Sequence, residues 1–233
     1  MRPAAASSDR YRVSAESGGA LLWDLDGTLI DSEQRWAAVC WEIAEESGIK
    51  EWRPSPVDIS GRAIPMLAGM LRERGAAGTL GSLTSALTER MRTLNRQDGV
   101  LWRPGALEML ETAHQNGVRQ ALVTMSLEMN VIDILEQLPR PYFAQIVTAN
   151  MVTRHKPAPD PYVLALKRLD LPTSGSVAIE DSPAGLRSAC DAGLNVIAVP
   201  CSGAIAPSDD YQIWETLAAR GLPDLVAAGL VVG

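Results

Sequence analysis

Two carboxylates, Asp24 and Asp26, stand two residues apart at the end of a short apolar run, Ala20 to Trp23, and Gly27 and Thr28 follow at once. The run reads as a buried strand and Gly27 as the turn that ends it. Such a placement sets both acids at a strand's C-terminal end, where open α/β sheets bind their ligands. Two like charges about 4 Å apart repel by roughly 4 kcal/mol at an effective dielectric of about 20. A cation, or a proton shared with substrate, is what relieves that repulsion.

Three further polar groups recur where apolar strands give out. Thr124 closes the run 121–123, just ahead of a helix that Ser126 is placed to cap, and a hydroxyl beside a helix N-terminus suits an anionic phosphate. Lys156 precedes Pro157, Pro159 and Pro161, and prolines at every second position predict a stiff, extended frame for one ammonium. Glu180 and Asp181 end another apolar strand. Four carboxylates around one sheet edge call for a hard divalent cation with oxygen ligands, Mg²⁺ above all.

The elements that position these groups follow from periodicity. Trp36, Val39, Cys40 and Ile43 mark a helix with Ser32 as its cap and Gly48 as its stop. Ile64, Leu67 and Leu71 mark a second helix, and Leu83, Leu87, Met91 and Leu94 a third. Beyond residue 102 helices and strands alternate: helices over 104–116, 127–138, 160–169 and 182–192, strands over 119–124, 145–148, 176–180 and 195–199. Asp160 is expected to cap the third of those helices. This alternation predicts an α/β fold, a parallel sheet covered on both faces. The expected organisation is a disordered tail over 1–18, a sheet core over 19–31 and 102–233, and an inserted helical unit over 32–101, hinged near 31–34 and 97–103. The last thirty residues suggest two short helices, around Trp214 and Leu225.

Composition narrows the function. The 233 residues are 46% hydrophobic and carry a net charge of −7, which argues against nucleic acid or an anionic membrane as partner. No apolar run approaches the roughly 18 residues of a membrane span. Three widely spaced cysteines, Cys40, Cys190 and Cys201, fit reduced thiols in a cytoplasmic protein.

In their order and types, Asp24-Leu25-Asp26-Gly27-Thr28, Thr124, Lys156 with its proline-rich tail, and Glu180-Asp181 resemble the four motifs of the haloacid dehalogenase superfamily. The resemblance spans nearly all of 20–200 and implies a Rossmann-like core with a mobile α-helical cap. It implies that Asp24 is the nucleophile forming an aspartyl-phosphate and that Asp26 is the general acid and base. Mg²⁺ would be held by the Asp24 carboxylate, the Asp26 carbonyl and Asp181, with Glu180 nearby or bound through water. Thr124, Met125 and Lys156 would hold the phosphoryl oxygens. Arg62, after Gly61, resembles a cap loop that contacts substrate. Trp36, Trp41, Trp52 and Met66 are candidates for a pocket wall or for core.

The expected activity is hydrolysis of a small phosphorylated metabolite, of sugar or polyol phosphate type, by a monomer or weak homodimer. Alternatives are a phosphotransferase resembling β-phosphoglucomutase and a non-catalytic phosphoryl-binding module. Mutases of the superfamily usually carry a histidine near the position of Trp36, and a pure binder has no need of Asp26.

Overall fold

The computed structural model describes residues 18–59 and 62–233. Of the expected tail, residues 1–17 lie outside the described residues, as does Gly61. The sheet has six parallel strands: β1 (Ala20–Trp23), β2 (Arg119–Val123), β3 (Gln145–Val147), β4 (Val177–Glu180), β5 (Asn195–Ala198) and β6 (Gln212–Ile213). Their spatial order is β3-β2-β1-β4-β5-β6, with β1 in the interior between β2 and β4. This Rossmann-like order reverses direction at β1, where such sheets open a crevice beyond their C-terminal ends.

Strand side chains alternate between the two faces. Leu21 and Trp23 enter one apolar layer with Leu122, Val177 and Ile179, whereas Ala20 and Leu22 enter the other with Ala121, Val123 and Ala178. Burial on both faces explains why β1 and β4 read as unbroken apolar runs. Flanking helices complete the layers: α5 (Ala106–Gln115), α6 (Glu128–Leu135), α7 (Asp160–Leu169), α8 (Pro183–Asp191) and α9 (Leu222–Ala227).

Between β1 and α5 the chain forms α1 (Glu33–Glu46), α2 (Pro56–Ile59), α3 (Ile64–Glu73) and α4 (Leu80–Asp98). These helices share a third apolar cluster that includes Val39, Cys40, Leu67, Leu71, Leu87 and Met91. The two segments joining them to the sheet run side by side. Asp31 N donates to Leu101 O (2.8 Å) and Arg103 N to Leu29 O (2.9 Å). No helix among the described residues is long and apolar enough to cross a membrane.

Several local expectations are corrected. Trp214 is not helical: β6 precedes it, and its N–H extends the ladder to Ala198 O (2.8 Å) while its ring is buried in the first apolar layer. A two-residue strand is too short to show a period. α2, a single turn, is likewise too short to show one. Ser32 and Ser126 do not cap α1 and α6 through their side chains: the Ser32 backbone is already helical, Leu127 stands at the cap position of α6, and both hydroxyls donate to Asp26. Pro159 stands at the cap position of α7, and Asp160 is instead its first residue, paired with Arg154. The stretch after Lys156 turns rather than extends, with a cis Lys156–Pro157 bond and Ala158 N donating to His155 O (2.9 Å).

Gly105, at φ 85°, starts α5 against the 217–218 peptide, where a Cβ would overlap the backbone. Gly105→Ala combines left-handed strain with overpacking and is expected to destabilise the fold by about 2–4 kcal/mol. A urea midpoint unchanged from wild type would refute that account.

Candidate active site

Sheet register builds the centre of the site. Trp23 pairs with Leu122 on one side and Ile179 on the other, so Asp24 falls level with Val123 and Glu180. Lys156 reaches the same level from the loop before α7. Its ammonium donates to Asp24 Oδ1 (2.7 Å), Glu180 Oε1 (2.6 Å) and Val123 O (2.8 Å), which uses all three of its protons. Tyr162 on α7 donates its hydroxyl to the same Glu180 oxygen (2.6 Å). Glu180 Oε2 faces the Asp181 N–H (3.3 Å) and the Ser182 hydroxyl (3.4 Å). Glu180 is wholly buried and anchors Lys156.

Burial governs the titration of these groups. It pushes Asp24 up to about 7, with Lys156 opposing and Glu180 reinforcing the shift. Asp181 is pushed well above the usual carboxylate range, by burial first and then by Asp24 and Glu180. Burial works against the Lys156 charge, but Asp24 and Glu180 outweigh it and raise the ammonium above its ordinary value. One cation thus faces three acids.

Asp24, Glu180 and Asp181 each bring a carboxylate oxygen within 4.8 Å of the others. Asp24 Oδ2 is buried without a hydrogen-bond partner. An unmet oxygen, an all-oxygen donor set and surplus negative charge fit a hard divalent cation. Two glycines make room for the cluster. A Cβ on Gly27 (φ 91°) would overlap the Asp181 carboxylate, and one on Gly185 would overlap that of Glu180. Asp24 and Asp181 line the cavity that opens over the sheet; Glu180 lies behind them.

Asp26 points elsewhere. Ser32 at the start of α1 donates to Oδ1 (2.6 Å), and Ser126 after β2 donates to Oδ2 (2.5 Å). The two carboxylates of the first motif therefore sit in different settings, one locked on an ammonium and one held by hydroxyls from two segments. Thr124 is buried at the cavity floor, where its Oγ1 accepts from Ser126 N (2.9 Å). Met125 lines the cavity beside it.

The cavity measures about 650 Å³ and lies between the sheet edge and the helices α1–α3. Trp36 and Met66 are in its wall; Trp41 and Trp52 instead carry Arg53 and Arg74 over their rings at 4.0 and 4.5 Å. Arg62 is also in the wall but exposed, with its Nε donating to Asp58 O (2.7 Å), away from the acidic cluster. His155 is exposed at the rim, its Nε2 3.1 Å from Ala149 O.

Sequence reasoning missed Tyr162, Glu33 and Arg103. Tyr162 and Glu33 sit at helical positions whose periodicity conceals their reach into the site. Arg103 donates to the carbonyls of Gly27, Val199 (3.0 Å) and Pro200 (2.8 Å), tying the second linking segment to the loop after β1. A lone arginine before a Pro-Gly pair carries no sequence signal of that role.

A sequence profile described as "Haloacid dehalogenase-like hydrolase" matches residues 21–199. Protein CbbY of Cereibacter sphaeroides is 32% identical over 194 residues, covering 78% of this chain and 84% of its own. Hexitol phosphatase A of Escherichia coli (strain K12) is 33% identical over 201 residues, covering 83% and 86%. Among solved structures, a CbbY mutant from Rhodobacter sphaeroides in complex with xylulose-1,5-bisphosphate superposes with a TM-score of 0.77 at 28% identity, covering 89% of this chain and 99% of that one. The ordered motifs, the sheet and these matches agree, and the chain belongs to the haloacid dehalogenase-like hydrolases.

Proposed function

We propose that this hydrolase is a Mg²⁺-dependent phosphatase acting on a small phosphorylated metabolite of sugar or polyol type. The observation that carries the reading is the split between the two acids: Asp24 Oδ2 is unpartnered at the cavity floor, while Asp26 is held apart by two serines. A nucleophile and a general acid need that division of settings. The hexitol phosphatase and the CbbY complex with a sugar bisphosphate support the substrate class.

In this reading the Asp24 carboxylate attacks phosphorus in line, and the ester P–O bond breaks as Asp26 gives its proton to the leaving oxygen. Asp26 then takes a proton from water, whose oxygen attacks the aspartyl-phosphate and frees Asp24 and inorganic phosphate. Lys156 fixes the orientation of the Asp24 carboxylate through Oδ1. Thr124 and backbone N–H groups at the start of α6 hold phosphoryl oxygens. Asp24, Asp181 and the Asp26 carbonyl would hold Mg²⁺, which would supply positive charge beside the transferring group. The helices α1–α4 serve as a cap that excludes bulk water. Trp36, where mutases carry histidine, supports hydrolysis over transfer.

Asp24→Asn is expected to abolish phosphate release, and Asp26→Asn to slow it by at least about 10²-fold. Release from a panel of phosphate esters, with Mg²⁺ or with excess chelator, checks both; full activity in chelator overturns the metal assignment.

Ser126→Ala frees one oxygen of Asp26. It is expected to lower kcat/KM for alkyl phosphates by about tenfold, and for a nitrophenyl ester much less, since a good leaving group needs little protonation. Equal losses on both esters would mean that Ser126 does not act through the acid.

Folding stability carries a further signature. The folded, metal-free protein holds the Asp24 proton more tightly than the unfolded chain does, so it binds more protons between about pH 4 and 7. Stability therefore falls as pH rises through that window. Mg²⁺ favours the ionised acid and is expected to raise the thermal midpoint more at pH 7.5 than at pH 5. A Mg²⁺ shift independent of pH contradicts this.

A further inference from the structure

The cavity volume of about 650 Å³ would admit a pentose or hexose with one phosphoryl group or two, so size does not choose between them. Charge does. Among the described residues, the cavity lining holds the carboxylates of Asp24, Asp26, Asp181 and Glu33, the last with a partner of its own, and two full cations, Lys156 and Arg62. Lys156 is committed to Asp24 and Glu180 at the floor. Among the described residues, Arg62 is the one cation that the helices contribute, and its Nε faces Asp58 O at the exposed rim. The rest of the wall opposite the floor is apolar: Trp36, Ile59, Ile64, Met66 and Leu67. Each further phosphoryl group would bring about two negative charges to this wall at pH 7.

We infer that the site takes esters with a single phosphoryl group and an uncharged far end, and discriminates against bisphosphates. This rests on the phosphatase reading and narrows its substrate. On the floor side, the Thr124 hydroxyl and the N–H groups at the start of α6, beside Lys156 and the divalent ion that the acids there would hold, serve one phosphoryl group. A second group would lie largely against the apolar side chains of Ile59, Ile64, Met66 and Leu67, where the Trp36 indole N–H and the exposed Arg62 are the donors the described wall offers in place of its water. Selectivity arises here from a penalty on the wrong ligand as much as from contacts to the right one. The chain thereby departs from the CbbY mutant seen with a bisphosphate.

The test uses matched pairs of sugar monophosphates and the corresponding bisphosphates, assayed for phosphate release by the wild-type protein with Mg²⁺. A kcat/KM about tenfold or more higher for the monophosphate in each pair that is turned over is expected, with the bias shrinking as salt screens the wall. Met66→Lys places a cation on the apolar wall and is expected to reduce the bias several-fold. Equal or better use of the bisphosphate overturns the inference, as does a bias that Met66→Lys leaves unmoved. Should neither ester of any pair release phosphate, the phosphatase reading fails, and calorimetric titration of the same compounds decides the inference separately. Weaker binding of the bisphosphate then upholds it; equal or tighter binding, or no binding of either compound, overturns it.

Discussion

The site depends on one buried ammonium. Lys156 lies between Asp24 and Glu180 at 2.7 and 2.6 Å, and its third proton goes to the Val123 carbonyl. Burying an ion pair brings a desolvation penalty that the pair's own attraction need not exceed, whereas removing one partner strands a charge at about 3–5 kcal/mol. Such a centre is therefore weak as a source of stability and strong as a constraint on geometry. Here it fixes which oxygen of Asp24 is occupied and which is left without a partner. Because every proton of Lys156 is already placed, the ammonium reaches a phosphoryl oxygen only by exchanging a partner. In the proposed reaction that exchange has a cause: once Asp24 is esterified its carboxylate charge is gone, and the strongest anion near Lys156 becomes the phosphoryl group.

The surrounding fold tolerates the excess of acid through backbone placement. Parallel register brings Asp24, Val123 and Glu180 to one level without any side-chain choice. Gly27 and Gly185 then leave space in which the Asp181 and Glu180 carboxylates lie against the main chain. Tyr162 satisfies the Glu180 oxygen that Lys156 also holds. What remains unmet is Asp24 Oδ2, and the repulsion among three acids is directed at the place where a cation would be most stabilised. Burial raises Asp24 and Asp181 for the same reason that it favours a divalent ion there: both remove uncompensated negative charge from a dry site.

The parts of this arrangement that lie on regular elements were legible in the sequence. Asp24, Thr124 and Glu180-Asp181 mark strand ends, and the apolar runs before them reveal two-sided burial, so the sheet and the order of its acids follow from local pattern. Less was legible where a residue's partner is distant. Ser32 and Ser126 look like helix caps, and in isolation that is what serine before a helix does. Both hydroxyls instead donate to Asp26, Ser32 has helical rather than extended backbone, and Leu127, not Ser126, stands at the cap position of α6. Tyr162 reads as the buried face of an amphipathic helix, and it is that as well; only the fold shows that its hydroxyl ends on Glu180. The prolines after Lys156 suggest extension, whereas the segment is a turn closed by the Ala158 N–H on the His155 carbonyl.

Asp26 joins the two halves of the molecule in a way that neither half shows alone. Ser126 belongs to the sheet side and Ser32 opens α1, so the carboxylate is gripped by both. Charge-assisted hydrogen bonds of 2.5–2.6 Å weaken steeply when a donor shifts by an ångström. The linking segments also bear on this grip: Asp31, next to Ser32, is bonded to Leu101, and Arg103 ties the returning strand to the Gly27 carbonyl. A displacement of the helices α1–α4 would thus be felt at Ser32 before it reached Ser126 or the Lys156 centre. In the proposed reaction the nucleophile is fixed by the sheet and Lys156, while the acid is aimed in part by Ser32 at the start of α1, so a shift of those helices would bear on proton transfer more directly than on attack.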